Sequence, residues 1–365
     1  MATNVTEADR SAIESFQERV FEAALGTFRT YAIYLGDRLG YYDALAAEGP
    51  STAVELAAAT GTNERYAREW LEQGAVAGLL TCEDLDAPAA DRRFGLPAAH
   101  AAVLTDPESL DYLASLPRTV VGALSPLQAV LDAYRTGEGI EFHAFGEDMH
   151  EGQAAMNRPL FVNELGTEWL PSLDDVDARL RNGGTVADVG CGHGWSSIGI
   201  ARAYPEATVH GIDADDASIE RARENAARSD AGDRLSFTHA DAATVGGEGT
   251  GSYDLVTAFE CVHDMSDPVS VLASMRALAA PDGAVLVMDE RVGASFDPDA
   301  GPVEELMYGW SVFHCLPVSM VDDGVGTGTV MREATLREYA TTAGFSDVEV
   351  LPIENEFFRF YRLTP

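Results

Sequence analysis

The densest chemistry in this chain lies in seven consecutive residues, Asp188-Val189-Gly190-Cys191-Gly192-His193-Gly194. Glycines at alternate positions let a backbone approach a ligand closely and turn through angles closed to other residues. The spacing is G-x-G-x-G, whereas the dinucleotide fingerprint is G-x-G-x-x-G, and a glycine loop alone is a weak signal. Asp188 precedes the first glycine by two residues, where it is expected at a strand end facing a ligand ammonium. A pyrophosphate would be repelled there; the amino group of a methionine moiety would not.

More acids follow at regular intervals. The apolar run Thr208 to Ile212 ends in Asp213-Ala214, nineteen residues beyond Gly194, where a carboxylate can accept from both ribose hydroxyls. The run Arg234 to His239 leads to Asp241-Ala242, placed to meet an adenine amino group. Tyr253 to Ala258 leads to Phe259-Glu260-Cys261-Val262-His263-Asp264-Met265. Glu260 faces the ligand there or caps the next helix.

These residues need elements to hold them. Gly183-Gly184 and then Thr185 to Val189 read as a turn and a buried first strand, with an amphipathic helix from about Trp195 to Tyr204 after the glycines. From Thr185 onward apolar strands alternate with helices, which predicts an α/β domain with a mostly parallel sheet. Gly283 to Met288, preceded by Pro281-Asp282, reads as a fifth strand. A helix of about Val303 to Leu316 and two closing strands near Val348 to Leu351 and Phe357 to Tyr361 complete it.

The front of the chain reads differently. An apolar stripe, Ile13, Phe16, Val20, Phe21 and Leu25, marks a helix from about Ala8 to Phe28, and Leu35, Leu39, Tyr42 and Leu45 continue at helical spacing. Thr52-Ala-Val-Glu55 is a capping box opening a short helix that Gly61 ends. Thr62 or Asn63 caps a second, Glu64 to about Gly74. Leu79 to Thr81 and Arg92 to Leu96 then read as strands joined by an acidic loop, a winged-helix pattern. Within residues 1–100 stand 16 acids and 8 arginines. Phosphate binding needs an excess of cations, so nucleic acid is an unlikely partner and pairing with a second copy through the apolar stripe is the expected role. The expected division is 1–117 winged-helix and dimerisation domain, 118–180 helical linker and lid, and 181–365 ligand-binding domain.

Sixty acids face 24 basic residues, all arginine, for a net charge of −36. Such self-repulsion destabilises a fold in dilute buffer, and molar salt, with a Debye length of about 3 Å, screens it. A high-salt cytoplasm, as in an extreme halophile, is the economical explanation. The acid-rich stretch Met1 to Phe16 does not read as a signal peptide, and no apolar run suits a membrane span, so a soluble cytoplasmic protein is expected. Cys82, Cys191, Cys261 and Cys315 form no C-x-x-C pair, which argues against a disulfide framework or structural zinc; no metal is expected.

Taken together, residues 185–290 resemble a class I S-adenosylmethionine-dependent methyltransferase, with its first motif, ribose acid, adenine-side acid and fourth strand in order. The resemblance implies a Rossmann-like seven-stranded sheet, its last strand antiparallel, with S-adenosylmethionine as cofactor and S-adenosylhomocysteine as product. The winged-helix front, Phe145-Gly146-Glu147-Asp148-Met149, Asn157-Arg158-Pro159-Leu160 and Trp169-Leu170-Pro171 resemble a group of bacterial and archaeal methyltransferases with such a front domain. Cofactor contacts are then expected from Asp188, Gly190, Gly192, Gly194, Asp213, Ala214, Asp241, Ala242 and Glu260.

Methyl transfer from a sulfonium needs nucleophile, methyl carbon and sulfur held in line, and a base if the nucleophile is a hydroxyl or protonated amine. His263, with Asp264 beside it, and His314 are the candidate bases, and His143 and His150 could cap the pocket. His263 has an equally plain reading as a packing residue. Cys261 and Cys315 read as core residues rather than arsenic ligands. The expected activity is methylation of a small-molecule oxygen or nitrogen nucleophile. The rival is a winged-helix regulator that senses the cofactor. A nucleic-acid methyltransferase ranks third, since no basic groove and no Asn-Pro-Pro-Tyr-type run is present.

Overall fold

The computed structural model describes residues 6–247 and 251–365, so the first five residues of the stretch read for a signal peptide lie outside it. Backbone contacts divide the chain into two compact units, separated after Val121.

The first unit opens with α1 (Glu7–Arg38), a single 32-residue helix whose capping box is Thr6 and Asp9. It outruns the expected end at Phe28 because nothing breaks it before Gly40, which turns left-handed (φ 68°) and opens α2 (Tyr41–Glu48). Ile13, Phe16, Val20, Phe21 and Phe28 remain exposed along α1, whereas its last turns pack: Trp70 Nε1 donates to the Ala32 carbonyl at 2.8 Å. α3 (Ala53–Thr60) carries the Thr52/Glu55 capping box, and Asn63 caps α4 (Glu64–Val76). β1 (Thr81–Glu83) and β2 (Arg93–Gly95) pair antiparallel as the wing, and α5 (Ala98–Leu104) follows. Tyr41, Tyr42, Leu45, Leu56, Leu71 and Phe94 form the core of this unit.

The division falls within α6 (Ser115–Leu124). The second unit continues with α7 (Leu127–Thr136), α8 (Glu147–Asn163) and α9 (Asp174–Arg181). It then alternates: β3 (Thr185–Val189), α10 (Trp195–Ala203), β4 (Thr208–Asp213), α11 (Asp216–Arg228), β5 (Leu235–His239), β6 (Tyr253–Phe259), α12 (Pro268–Leu278) and β7 (Ala279–Glu290). After α13 (Pro302–Trp310), α14 (Leu316–Ser319) and α15 (Glu333–Thr342), β8 (Asp347–Val350) and β9 (Phe358–Thr364) close the chain.

Seven strands form one sheet in the order β5-β4-β3-β6-β7-β9-β8, with β9 antiparallel to both its neighbours and the pairs among β3 to β7 parallel, as expected. Parallel strands buried on both faces need apolar residues at every position. Val186, Leu255, Leu286, Met288 and Phe360 pack on one face with Trp169 and Tyr204, while Val189, Val256, Val285, Val287 and Leu363 pack on the other with Leu272 and Met275.

Two departures bear on the site. The helix expected over Val303 to Leu316 is present and runs on to Ser319, but with a π-helical turn over Ser311–Cys315 between α13 and α14, where Pro317 has no N–H to continue the regular ladder. And α8 presses on α10 so closely that a side chain at Gly199 would strike the Phe161 carbonyl.

Candidate active site

At the carboxyl ends of β3, β4, β5 and β6 the second unit holds a cavity of about 560 Å³, closed on its other side by residues from 141–161 and from the segments around Ser266 and Val318. Ligands of open α/β sheets bind outside these strand ends, where the loops diverge.

The glycine loop forms one wall. Gly190 is left-handed (φ 68°) and its N–H donates to the Ile212 carbonyl at 2.8 Å, tying the loop to β4. A Cβ at this position would meet Cys261 Sγ at 2.7 Å, so only glycine fits. Gly192 (φ 49°) donates its N–H to Asp213 Oδ2 at 2.8 Å, and a Cβ there would point into open space. The other oxygen, Oδ1, accepts from Asp215 N at 2.9 Å. Burial pushes the Asp213 carboxyl up, and these two backbone N–H groups oppose that by holding its charge. Ala214, Asp241, Ala242 and Glu260 line the cavity with it.

Gly194 does not. It is the left-handed residue that opens α10 and packs against Phe237, one turn behind the cavity wall. Asp188 is a second correction. It is 1% exposed and absent from the lining, with Oδ2 accepting from Ser196 and Ser197 hydroxyls at 2.6 Å each and Oδ1 from the Thr257 hydroxyl at 2.8 Å. Burial pushes its carboxyl up and the three hydroxyls pull it back. Its three hydroxyl partners make it a brace for the loop.

Glu260 is the opposite case. Only 7% exposed and held at positive φ (51°), it receives Asn157 Nδ2 on Oε2 at 3.2 Å and has no partner on buried Oε1. Burial outweighs the Asn157 hydrogen bond and the nearby His263 charge and pushes its carboxyl up to about 8. A non-glycine residue in this backbone region is costly and marks a position the surroundings have fixed.

His263 was expected as a base, and the structure corrects this. It is 2% exposed and does not reach the cavity; Nδ1 lies 2.8 Å from Asp289 Oδ1 and 3.0 Å from Glu290 Oε2, and Nε2 lies 3.2 Å from Asp264 Oδ1. Burial opposes charge on this ring, but the three carboxylates outweigh it and hold the imidazole well above its ordinary range. An imidazolium held at both nitrogens has no lone pair for a substrate proton. Burial likewise pushes the Glu290 carboxyl up, and the His263 charge opposes that. His263, Asp289 and Glu290 bring ligating atoms within 4.8 Å of one another, as do His263, Asp264 and Cys315.

His314 is also corrected. It is fully buried on the π-helical turn, edge-on to Phe145 at 4.5 Å and behind the cavity wall, where burial pushes it down to about 4. His143 and His150 do line the cavity. His150 stacks flat on Phe142 (4.3 Å, 6°), with Nε2 3.1 Å from the Phe142 carbonyl. His193, also in the wall, is pushed down to about 4 by burial. Sequence reasoning missed Gln153 and the pairing of Asn157 with Glu260, 103 residues apart; the Asn157-Arg158-Pro159 run was the only trace.

A cavity walled by strand ends in the order β5-β4-β3-β6, with one reversed strand near the far edge, is the arrangement of the class I methyltransferases that use S-adenosylmethionine. Residues 180–335 of the chain match the family described as "Methyltransferase domain", and residues 28–106 match the Rv2258c-like winged HTH domain. It is 26% identical over 365 residues to the 3-amino-4-hydroxybenzoate 4-O-methyltransferase of Streptomyces cremeus, covering 95% of this chain and 91% of that enzyme. It is 32% identical over 165 residues to the 27-O-demethylrifamycin SV methyltransferase of Amycolatopsis mediterranei (strain S699), covering 44% and 59%. Among solved structures it resembles the mitomycin 7-O-methyltransferase, with a TM-score of 0.68 at 22% identity, covering 97% and 99%. No helix among the described residues is long and apolar enough to cross a membrane.

Proposed function

We propose that this enzyme moves the methyl group of S-adenosylmethionine to a hydroxyl of a small, flat organic acceptor. The observation that carries the reading is the single cavity in which strand-end acids, the glycine loop and an aromatic wall meet. The residues present fit the cofactor: Asp213 and Asp241 stand where ribose hydroxyls and an adenine amino group need acceptors, and buried Glu260 Oε1 lacks a donor that a ligand ammonium can supply. Gly190 and Gly192 keep the approach open. When bound, the cofactor supplies a methyl group already activated by its sulfonium.

The chain's own part is then alignment, dehydration and one proton. Phe142, His150, Gln153 and Met265 form the remaining wall and exclude water from the transfer path. If the hydrogen on Nε2 of His150 is donated to the Phe142 carbonyl, Nδ1 is left as the basic nitrogen, and we assign it the acceptor's proton. The relatives named above specify oxygen as the methylated atom, which favours oxygen over nitrogen here. Exposed apolar residues on α1 support a homodimer, and the acid excess supports a salt-rich cytoplasm as the place of action.

Calorimetric titration with S-adenosylmethionine in molar potassium chloride tests the cofactor assignment. Micromolar binding is expected for the native chain, weakened at least about tenfold in Asp213→Ala. Binding by neither, with the fold intact, would overturn the reading and favour a regulator that senses something else.

A further inference from the structure

We propose that the acceptor is neutral or cationic where it enters the cavity, and that carboxylate- or phosphate-bearing molecules are rejected. This rests on the methyl-transfer reading above. The acceptor wall combines aromatic and apolar groups, Phe142, Met265 and Val318, with the carboxylates of Glu141, Asp264 and Asp267. Among the described lining residues there is no arginine. Recognition of a carboxylate or phosphate relies on such a cation, commonly a bidentate guanidinium.

The nearby cations are already engaged. The Arg158 guanidinium lies over the Trp195 ring at 4.1 Å, and Arg221 pairs with Glu151 at 2.7 Å and Glu224 at 2.9 Å. His263 is enclosed by Asp264, Asp289 and Glu290. The charged side chains that an anion would meet in the lining are therefore carboxylates, Glu141, Asp264 and Asp267 among them. Like charge in a dehydrated cavity penalises an entering anion.

The test is ternary binding, which does not need turnover. The protein, saturated with S-adenosylhomocysteine in molar potassium chloride, is titrated with three para-substituted phenols that differ in charge: tyramine, para-ethylphenol and para-hydroxyphenylpropanoate. Tyramine and the neutral phenol should bind at least about tenfold more tightly than the propanoate, the discrimination that juxtaposed like charge gives. Gln153→Arg, which adds a cation to the same wall, should narrow or reverse that ratio by about tenfold, and Glu141→Gln should narrow it by less. Unchanged S-adenosylhomocysteine affinity reports that each variant is folded. Equal or tighter binding of the propanoate by the native chain overturns the proposal, as does a ratio that Gln153→Arg leaves unmoved. Failure of all three phenols while S-adenosylhomocysteine binds also overturns it and leaves the methyltransferase reading standing. Failure of S-adenosylhomocysteine itself takes both down.

Discussion

Asp188 and Glu260 stand at the ends of neighbouring parallel strands, both carboxylates and both almost out of contact with water, yet they do opposite work. Asp188 is saturated by three hydroxyls of its own fold; Glu260 keeps one oxygen without a partner against the cavity. The His263 cluster repeats the first pattern on a larger scale, with a cation enclosed by Asp264, Asp289 and Glu290. Residue type and strand position do not distinguish a ligand contact from a brace. What separates Asp188 from Glu260 is a buried oxygen left without a partner, which is costly unless a ligand completes it.

The contrast breaks most visibly at His263. His263→Ala leaves buried carboxylates without their cation and should lower unfolding free energy in molar salt by about 3–5 kcal/mol. A loss below about 1 kcal/mol in a denaturant titration would mean that the cluster is not a brace. Asp188→Ala strands three buried hydroxyls and should cost about 3 kcal/mol in the same assay, while the folded fraction binds S-adenosylmethionine within about threefold of the native chain. A selective loss of binding instead would return Asp188 to the ligand side.

Glu260→Gln should behave in reverse. Its carboxyl is held up to about 8 by burial, so the neutral amide should fold as well or better, while ligand affinity measured by calorimetry falls about tenfold. Asn157→Ala, which removes one hydrogen bond to that carboxylate, should have the smallest effect, about 1 kcal/mol in binding and in stability.

A pH series sharpens the same comparison. His263, Glu290 and Glu260 all hold protons in the folded state beyond their ordinary values of 6.5, 4.5 and 4.5, so the folded chain binds more protons than the unfolded one. Their contribution to stability is fully present below those ordinary values and is lost as pH rises through the folded values. His314, pushed down to about 4, has the other sign: its contribution is lost as pH falls from about 6.5 through 4. The thermal midpoint in molar salt should therefore drop between pH 7 and pH 9, and drop less steeply in His263→Ala. An equal slope in the two chains would place the titration elsewhere.

The sheet was legible from the sequence because fully buried parallel strands are continuous apolar runs and each ends in a turn or an acid. Asp213, Asp241 and the glycines Gly190 and Gly192 were legible for the same reason: their places follow from strand ends. What lay beyond was long-range. Asp289 lies 26 positions from His263, and only the sheet brings the end of β7 behind the loop after β6. His314 looked like a catalytic group on a regular helix, but the π-helical turn rotates it into the interior. The Asn157 contact needed α8 to be placed across the strand ends, which no local pattern encodes.

That placement of α8 has a consequence for how such an enzyme diversifies. The helix that carries His150, Gln153 and Asn157 into the cavity is pressed, at Gly199, onto the helix that continues the glycine loop. The seam admits no side chain, so the gap between the two walls is a fixed gauge. Residues facing inward from α8 can then be exchanged while the seam at Gly199 keeps the two helices at one separation. Substrate range and helix spacing are inherited separately: one is written in side chains, the other in the absence of one.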